Sequence, residues 1–398
     1  MISLDAALAL LADAVTPLAR EEVAIDAAAG RVLAAPVRAR SASPRTAVAM
    51  MDGYAVNGAT TVPDVPLHVI GESRAGARFD GSVGAHQAVR IFTGAPMPDG
   101  TDRCIMQEYA VREGDRVHFT PGFGPEWHVR AAGSDFEADT ELLAAGTRLG
   151  PRAMVAAAAA DRAMLSVHAR PRVAILGTGD ELAPAGSAWQ RRDAIPDSVT
   201  HGVAAMAGQA GGDVVVRSTG GDDLHALEAQ AAALLAAADV VVVTGGASVG
   251  ERDFARSMFA THGLDLLFAK VAIKPGKPVW VGRARGTWVV GLPGNPGSAM
   301  VTARLFLIPL LAALQGQALS ESLRWRRLPL AAPLGATGSR ETLVRACWDD
   351  AGLRPIAMQD SGAQHALVEA GWLIRCPAGQ AAVPSGQTVE ALSFALDA

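Results

Sequence analysis

Lys270, Lys274 and Lys277 lie within eight positions, and every other one of the 35 basic residues is arginine. An ammonium is a compact point charge with three donors, whereas guanidinium is a planar fork. A chain that uses arginine wherever either cation serves explains the absence of lysine elsewhere, but not three lysines together. The cluster points to a site for a small anion. Five loops carry matching chemistry: Gly177-Thr178-Gly179-Asp180-Glu181-Leu182, Asp197-Ser198, Gly220-Gly221-Asp222-Asp223, the run from Thr244 to Asp253 through Gly245, Gly246 and Ser248, and Gly291-Leu292-Pro293-Gly294-Asn295-Pro296-Gly297-Ser298. Glycines let backbone N–H groups approach a ligand, and a following helix N-terminus adds partial positive charge, so a phosphate or other oxyanion is the natural guest. One such turn alone reads as a tight connection; several at one sheet edge read as a site. Glu181, Asp197, Asp222, Asp223 and Asp253 fall in the same loops. Carboxylates beside anion donors imply a divalent hard cation, and Mg²⁺ typically binds through one or two carboxylates plus phosphate. Asp197 and Asp223 also suit helix N-caps; Glu181 is harder to explain that way.

Familiar alternatives are missing. Gly276-Lys277-Pro278 lacks the spacing of a P-loop, no G-x-G-x-x-G follows a strand, and no histidine pair has zinc spacing. Gly246-Ala247-Ser248-Val249-Gly250 matches G-x-S-x-G, but the polar Glu251-Arg252-Asp253 extends the loop beyond a nucleophile elbow and no histidine partner presents itself.

The elements that must position these residues follow from pattern. A chain of 398 residues suggests two or three domains. Half of it is hydrophobic and 19% charged, which excludes global disorder. A net charge of −5 argues against a general nucleic-acid binder. Cys104, Cys347 and Cys376 are too few and too scattered for a disulfide framework or cysteine metal site. The apolar stretches 153–160, 231–238 and 305–314 fall short of the roughly 20 residues of a membrane span, and no signal peptide is visible. The expectation is a cytoplasmic, multidomain protein with neither nucleic acid nor membrane as partner. Residues 2–16 have helical spacing; residues 45–140 are β-rich, with strands near 67–70, 88–92 and 116–120; a helix follows over 151–162. Strands at 172–176, 213–217, 239–243, 280–281 and 288–291 alternate with helices at 197–209, 223–238 and 298–314. That alternation predicts a doubly wound, mostly parallel α/β sheet, and the chain closes in a compact β module after 322. In such sheets ligands sit beyond the C-terminal strand ends, where the loops above collect.

In order and spacing, M-D-G-Y-A from Met51, R-I-F-T-G-A-P-M-P from Arg90, G-T-G-D-E-L from Gly177, T-G-G-A-S-V-G-E-R-D-F from Thr244, K-V-A-I-K-P-G-K-P from Lys270 and G-L-P-G-N-P-G-S from Gly291 resemble the molybdopterin molybdenumtransferases, the MoeA-like family that includes the E domain of gephyrin. The resemblance is clear over residues 1–315 and weaker beyond. It implies an elongated homodimer with a helical linking domain (1–45 and 140–168) split by an inserted β domain (46–139), a molybdopterin-binding α/β domain (169–318) and a C-terminal β-barrel-like domain (319–398). It also implies an active site between the α/β domain of one subunit and the inserted domain of the other. The implied reaction is Mg²⁺-dependent insertion of molybdate into adenylylated molybdopterin with release of AMP.

Carried over by motif, Asp52, Thr93, Glu181 and Asp253 are the catalytic positions, with Asp52, Glu181 and Asp253 handling Mg²⁺ and the attacking water. Asp135, reached through an R-x-x-G-x-D element from Arg130, belongs to the substrate site. So do Asp197, Ser198, Asp222, Asp223, Gly245, Gly246, Ser248, Lys270, Lys274, Lys277, Pro293, Asn295, Pro296 and Ser298, joined by Arg340 and Ser361 of the last domain. The chain departs from the family pattern at Val199, where Asn is usual, and at Gly297, where many members carry Val, a sterically mild exchange. It departs again in the reduced loop Asp360-Ser361-Gly362-Ala363-Gln364-His365. Two other readings compete: a molybdopterin-binding carrier or scaffold without turnover, which would have less need of the Asp52, Glu181 and Asp253 trio, and the preceding adenylylation of molybdopterin, which the inserted and C-terminal modules disfavour. Molybdopterin adenylyltransferase and molybdoenzyme maturation factors are the expected protein partners.

Overall fold

The computed structural model describes residues 1–245 and 254–396, so Gly246, Ser248 and Asp253 lie outside the described residues. The chain forms two compact units: one of Pro36–Ala144 and Pro151–Leu165, the other of Met1–Ala35, Ala145–Gly150 and the chain from Ser166 onward.

The first unit is built on a six-stranded sheet in the order Arg103–Met106, Gly53–Val56, Gln87–Ile91, Leu67–Ser73, Arg116–Phe119, Ala110–Glu113. Side chains of a strand alternate between faces. Tyr54, Val56 and Ile105 accordingly join Leu67, Val117 and Phe119 in one buried cluster, while Ala55, Cys104 and Ile91 join Ala49 and Ala95 in another. The helix Pro151–Ala159 opens on a proline, whose fixed φ suits a first turn.

The α/β part of the second unit has strands β1 (Arg172–Thr178), β2 (Asp213–Gly220), β3 (Val240–Thr244), β4 (Asp265–Ala269), β5 (Trp280–Ala284) and β6 (Thr287–Leu292), ordered β2-β1-β3-β6-β5-β4. The first four strands are parallel; β5 runs antiparallel to both β6 and β4. The sequence pattern anticipates the parallel run but not β4, an exposed edge strand on which only Phe268 is buried. Helices α1 (Val199–Gln209), α2 (Leu224–Ala237) and α3 (Pro296–Leu314) cover the faces. β3 is four consecutive valines because it is buried on both sides. Val240 and Val242 face the core shared with α1 and α3, and Val241 and Val243 face Leu227, Ala231 and Leu234 of α2.

The apolar stretch read from sequence as 305–314 is part of α3, a 19-residue helix with mean hydropathy 1.8. Among the described residues it is the one helix long and apolar enough to cross a membrane, yet 94% of it is buried inside the protein itself. A π turn at Ala303–Leu307 precedes Pro309, whose missing N–H interrupts the ordinary ladder.

The C-terminal module is a third six-stranded sheet that recruits the short strand Ile273–Lys274 alongside Glu341–Asp349. Arg304 of α3, buried without a carboxylate, donates to Ser393 O and Ser322 O at 2.9 Å each and so clasps the helix to this module. Burial pushes its guanidinium down to about 10.

Candidate active site

The strand order reverses direction between β1 and β3: the chain leaves β1 through α1 to β2 on one side, while β3 continues on the other. A crevice at the C-terminal ends of the strands is the consequence. A cavity of about 660 Å³ lies there, lined by Thr178 and Gly179 at the end of β1 and by Thr244 and Gly245 at the end of β3. Its size suits a single organic ligand. Of the residues singled out from sequence, Glu181, Asp197, Ser198, Asp222, Gly245, Pro293, Asn295, Pro296 and Ser298 line it.

The loops meet there because glycine lets their backbones touch. Gly245 has φ +94°, and a Cβ on it would stand 2.5 Å from Thr178 O. Gly294 rests against Gly245 in turn, with only 3.3 Å to spare from its own Cβ position to the Gly245 Cα. Thr178 and Thr244 are both buried, and the Thr178 hydroxyl donates to Thr244 O at 3.3 Å. Sequence reading passed over these threonines, although each stands directly before its glycine turn.

The carboxylates divide into fixed and available groups. Asp197 is 3% exposed and fully engaged. It accepts from the Thr200 amide at 3.2 Å, from the Thr200 hydroxyl, and from Arg217 Nη1 at 3.4 Å, which caps α1 and ties it to β2. Asp223 caps α2 by accepting from Ala226 N at 2.7 Å and does not line the cavity. Asp222 lines the cavity on a loop held by Asp180, whose Oδ1 accepts the Asp222 amide at 2.9 Å. Glu181 lines the cavity as well and is exposed to solvent. The first turns of α1 and α3 also border the cavity, through Ser198 and Val199 and through Pro296 and Ser298. The Thr200 and Gly297 amides are already taken by Asp197 and Ser361, so it is the helix dipoles and the remaining first-turn amides that favour an anion there. The arrangement therefore offers positive backbone ends on two sides and one solvated carboxylate.

The lysines stand further out. Pro278 lines the cavity, and Lys277 directly precedes it in the chain without lining the cavity itself. Lys274 lies on the short strand paired with the C-terminal sheet, and Lys270 follows β4. All three are exposed, and among the described residues none has an ion-pair partner. Arg340 donates to Ile273 O at 3.2 Å and holds this lysine loop rather than lining the cavity.

The C-terminal module closes one wall with Gly362 and Gln364. Ser361 lies just behind: its hydroxyl accepts from Asn295 Nδ2 at 3.0 Å and its carbonyl accepts the Gly297 amide at 2.7 Å. Beneath it, Arg345 is completely buried. Its Nη2 donates to Asp360 O at 2.8 Å and Met358 O at 3.3 Å, while Nε and Nη1 have no partner among the described residues. Burial lowers its guanidinium below its ordinary value, against the opposing charge of Asp360. Sequence reading singled out Arg340 and missed Arg345, five residues on, because nothing in the sequence shows which arginine of a strand turns inward. The same wall corrects the reading of Gly297 as a mild exchange. A Cβ there would stand 2.9 Å from Ser361 O and 3.0 Å from Arg345 Nη1, so glycine is what lets the C-terminal loop close.

In the other unit Asp52 and Thr93 form a pair. Asp52 Oδ1 accepts from both the Thr93 amide and the Thr93 hydroxyl, at 2.8 Å each. These two bonds, the amide first, hold the Asp52 carboxyl below its usual range; partial desolvation opposes them and the Arg90 charge adds to them. Asp135 lies in the same unit on a loop anchored by its amide to Ser43 O at 3.0 Å and is exposed. Among the described residues no hydrogen bond or ion pair joins it to Asp52.

Two outcomes follow. Gly297→Val should displace the 360–364 loop and destabilise the second unit by about 1–3 kcal/mol, the usual range for overpacking, read by denaturant unfolding. Thr93→Val should raise the Asp52 carboxyl pKa, read by carboxyl-carbon NMR titration. The sign follows from linkage: the stabilisation of a depressed carboxylate is present above its unfolded pKa and is lost as pH falls through the folded one. The variant should therefore lose it at a higher pH than the native chain.

Comparison with known proteins agrees with this layout. Residues 2–160 match the model for the MoeA N-terminal region (domain I and II), residues 174–313 that of a probable molybdopterin binding domain, and residues 327–394 that of the MoeA C-terminal region (domain IV). A molybdopterin molybdenumtransferase of Nostoc sp. is 34% identical over 332 residues, covering 81% of this chain and 76% of that protein. One from Haemophilus influenzae is 33% identical over 331 residues, covering 83% and 80%. The crystal structure of a molybdopterin biosynthesis MoeA protein from Pyrococcus horikosii superimposes with a TM-score of 0.83 at 27% identity over 99% of each chain. With its relatives, its three matched regions and its superimposable fold in accord, the chain belongs to the molybdopterin molybdenumtransferase family.

Proposed function

We propose that this chain is an enzyme of molybdenum cofactor biosynthesis that inserts molybdate into adenylylated molybdopterin and releases AMP. The observation that carries the reading is the cavity at the β1/β3 reversal, where two helix N-termini and the solvated Glu181 meet in the region that matches a molybdopterin binding domain. Water adds to phosphorus, the anhydride P–O bond breaks, and AMP departs with the bridging oxygen or the new one according to which phosphorus is attacked. The dithiolene sulfurs replace an oxo group on molybdenum, which leaves as water with the thiol protons. Glu181, with Asp52 and Asp253, serves the attacking water, and the ammonium groups of Lys274 and Lys277 hold the phosphate or molybdate. The buried Arg345 is placed to support Ser361 and Asn295 at the same wall.

Among the described residues no three acidic, histidine or cysteine side chains close on one point. We take Mg²⁺ to arrive with substrate phosphate, with Glu181, Asp52 and Asp253 as the carboxylates that would hold it, rather than to sit in a dedicated protein cage. When bound, Mg²⁺ would neutralise charge developing on the phosphate oxygens. The working form is a homodimer in which Asp52 and Thr93 of one copy serve the cavity of the other. It operates in the cytoplasm, in keeping with free Cys104, Cys347 and Cys376. Molybdopterin adenylyltransferase supplies the substrate and molybdoenzyme maturation factors take the product.

AMP release with Mg²⁺ and molybdate tests the reaction. Glu181→Gln should lower it by about 10²–10⁴-fold, the range for removal of a general acid–base group, with an unchanged melting temperature. A folded native chain that binds substrate and releases no AMP would sink the enzyme reading and favour a carrier. Mixing Glu181→Gln with Asp52→Asn subunits tests the dimer: statistical exchange in a two-fold assembly restores about a quarter of native activity, whereas sites contained within one copy stay silent.

A further inference from the structure

Arg90 lies opposite Tyr54 across the antiparallel pair Gln87–Ile91 and Gly53–Val56. Its guanidinium sits over the Tyr54 ring at 5.2 Å and over the Phe92 ring at 4.7 Å. Nη1 donates to Gly53 O at 2.9 Å and Nη2 to Gln107 Oε1 at 2.7 Å. The residue on one side of Asp52 and the residue on one side of Thr93 are thus held by the same planar group. The rest of the Asp52 turn is fixed from the neighbouring strand: Met51 O accepts the Cys104 thiol at 3.4 Å, and Asp52 O accepts the Gln107 amide at 3.0 Å. Burial pushes the Cys104 thiol up to about 11, so it remains a neutral donor. With both Thr93 donors on Oδ1, the carboxylate presents Oδ2.

We infer that Arg90 is a positioning residue for the proposed reaction: through its stack on Tyr54 and Phe92 and its fork to Gly53 and Gln107, it fixes the direction in which Asp52 Oδ2 and the Thr93 loop face the substrate. The inference rests on the reading of Asp52 as a catalytic carboxylate. Only a flat cation with several donors does this. Lysine would keep the charge but could bridge Gly53 and Gln107 only by giving up the stack. A packing residue would act on stability; a positioning residue acts on turnover, because small misplacements of a reacting group cost rate steeply.

The test is AMP release by the full chain carrying Arg90→Lys, Asp52→Asn or both, together with thermal melts. Arg90→Lys should lower kcat by about tenfold or more, leave KM within about twofold, and cause no further loss once Asp52 is Asn, since residues acting through one group are non-additive. Gln107→Met, which leaves Arg90 in place but frees Nη2, should show a smaller kcat loss with the same dependence on Asp52, and it serves if Arg90→Lys does not fold. Native kcat in a folded Arg90→Lys, or losses that multiply independently of Asp52, would overturn the inference while leaving the Asp52 reading intact. A fully active Asp52→Asn would overturn both.

Discussion

Two strands of the parallel sheet, β1 and β3, lie side by side while the chain that follows each departs in opposite directions, and no helix can cover the gap that opens between them. The cavity depends on this constraint. Backbone must line the gap from both sides, so its amides need partners there or from a ligand. Gly245 and Gly294 meet the requirement for close approach, and the buried Thr178–Thr244 hydrogen bond locks the two strand ends together. Shape is supplied by the sheet and polarity by the helix starts, so the ligand class is set before any charged side chain is considered.

The charged side chains then take separate duties according to how completely each is satisfied. Asp197 spends its oxygens on Thr200 and Arg217 and behaves as framework, although it borders the cavity. Glu181 stands in water at the same border. Arg345 is the reverse case, a buried cation with two unpartnered nitrogens, retained against a desolvation cost under a loop that Gly297 allows to close. In the other unit, Asp52 is held at its backbone and at Oδ1, and among the described residues Oδ2 accepts no hydrogen bond.

Where local chemistry set the outcome, the sequence was legible. Four valines in a row mark β3 as buried on both faces, the glycine turns mark the strand ends, and Asp223 sits where a capping residue belongs. The order of the motifs was specific enough to identify the family. Long-range geometry was not readable. The inward turn of Arg345 rather than Arg340, the exposed edge strand β4, and the close contact of Gly297 with Ser361 all depend on chain far away in sequence. Asp197 was ambiguous for a related reason: a cap and a ligand look alike until the number of partners is known.

The composition of α3 bears on how the chain is made. A 19-residue segment of mean hydropathy 1.8, Arg304 included, emerging alone from a ribosome has the length and hydropathy that membrane-insertion machinery selects. All six strands of the sheet, and the helices α1 and α2, precede α3 in the chain. Since folding during synthesis proceeds from the N-terminus, the sheet and α1 residues of the cluster that buries α3 are already made when the helix appears, and Leu343, Leu373 and Leu392 of the C-terminal module join them afterwards. Gene order within the polypeptide thereby protects it, and a circular permutation that moved α3 ahead of β1 would keep every native contact while removing that protection.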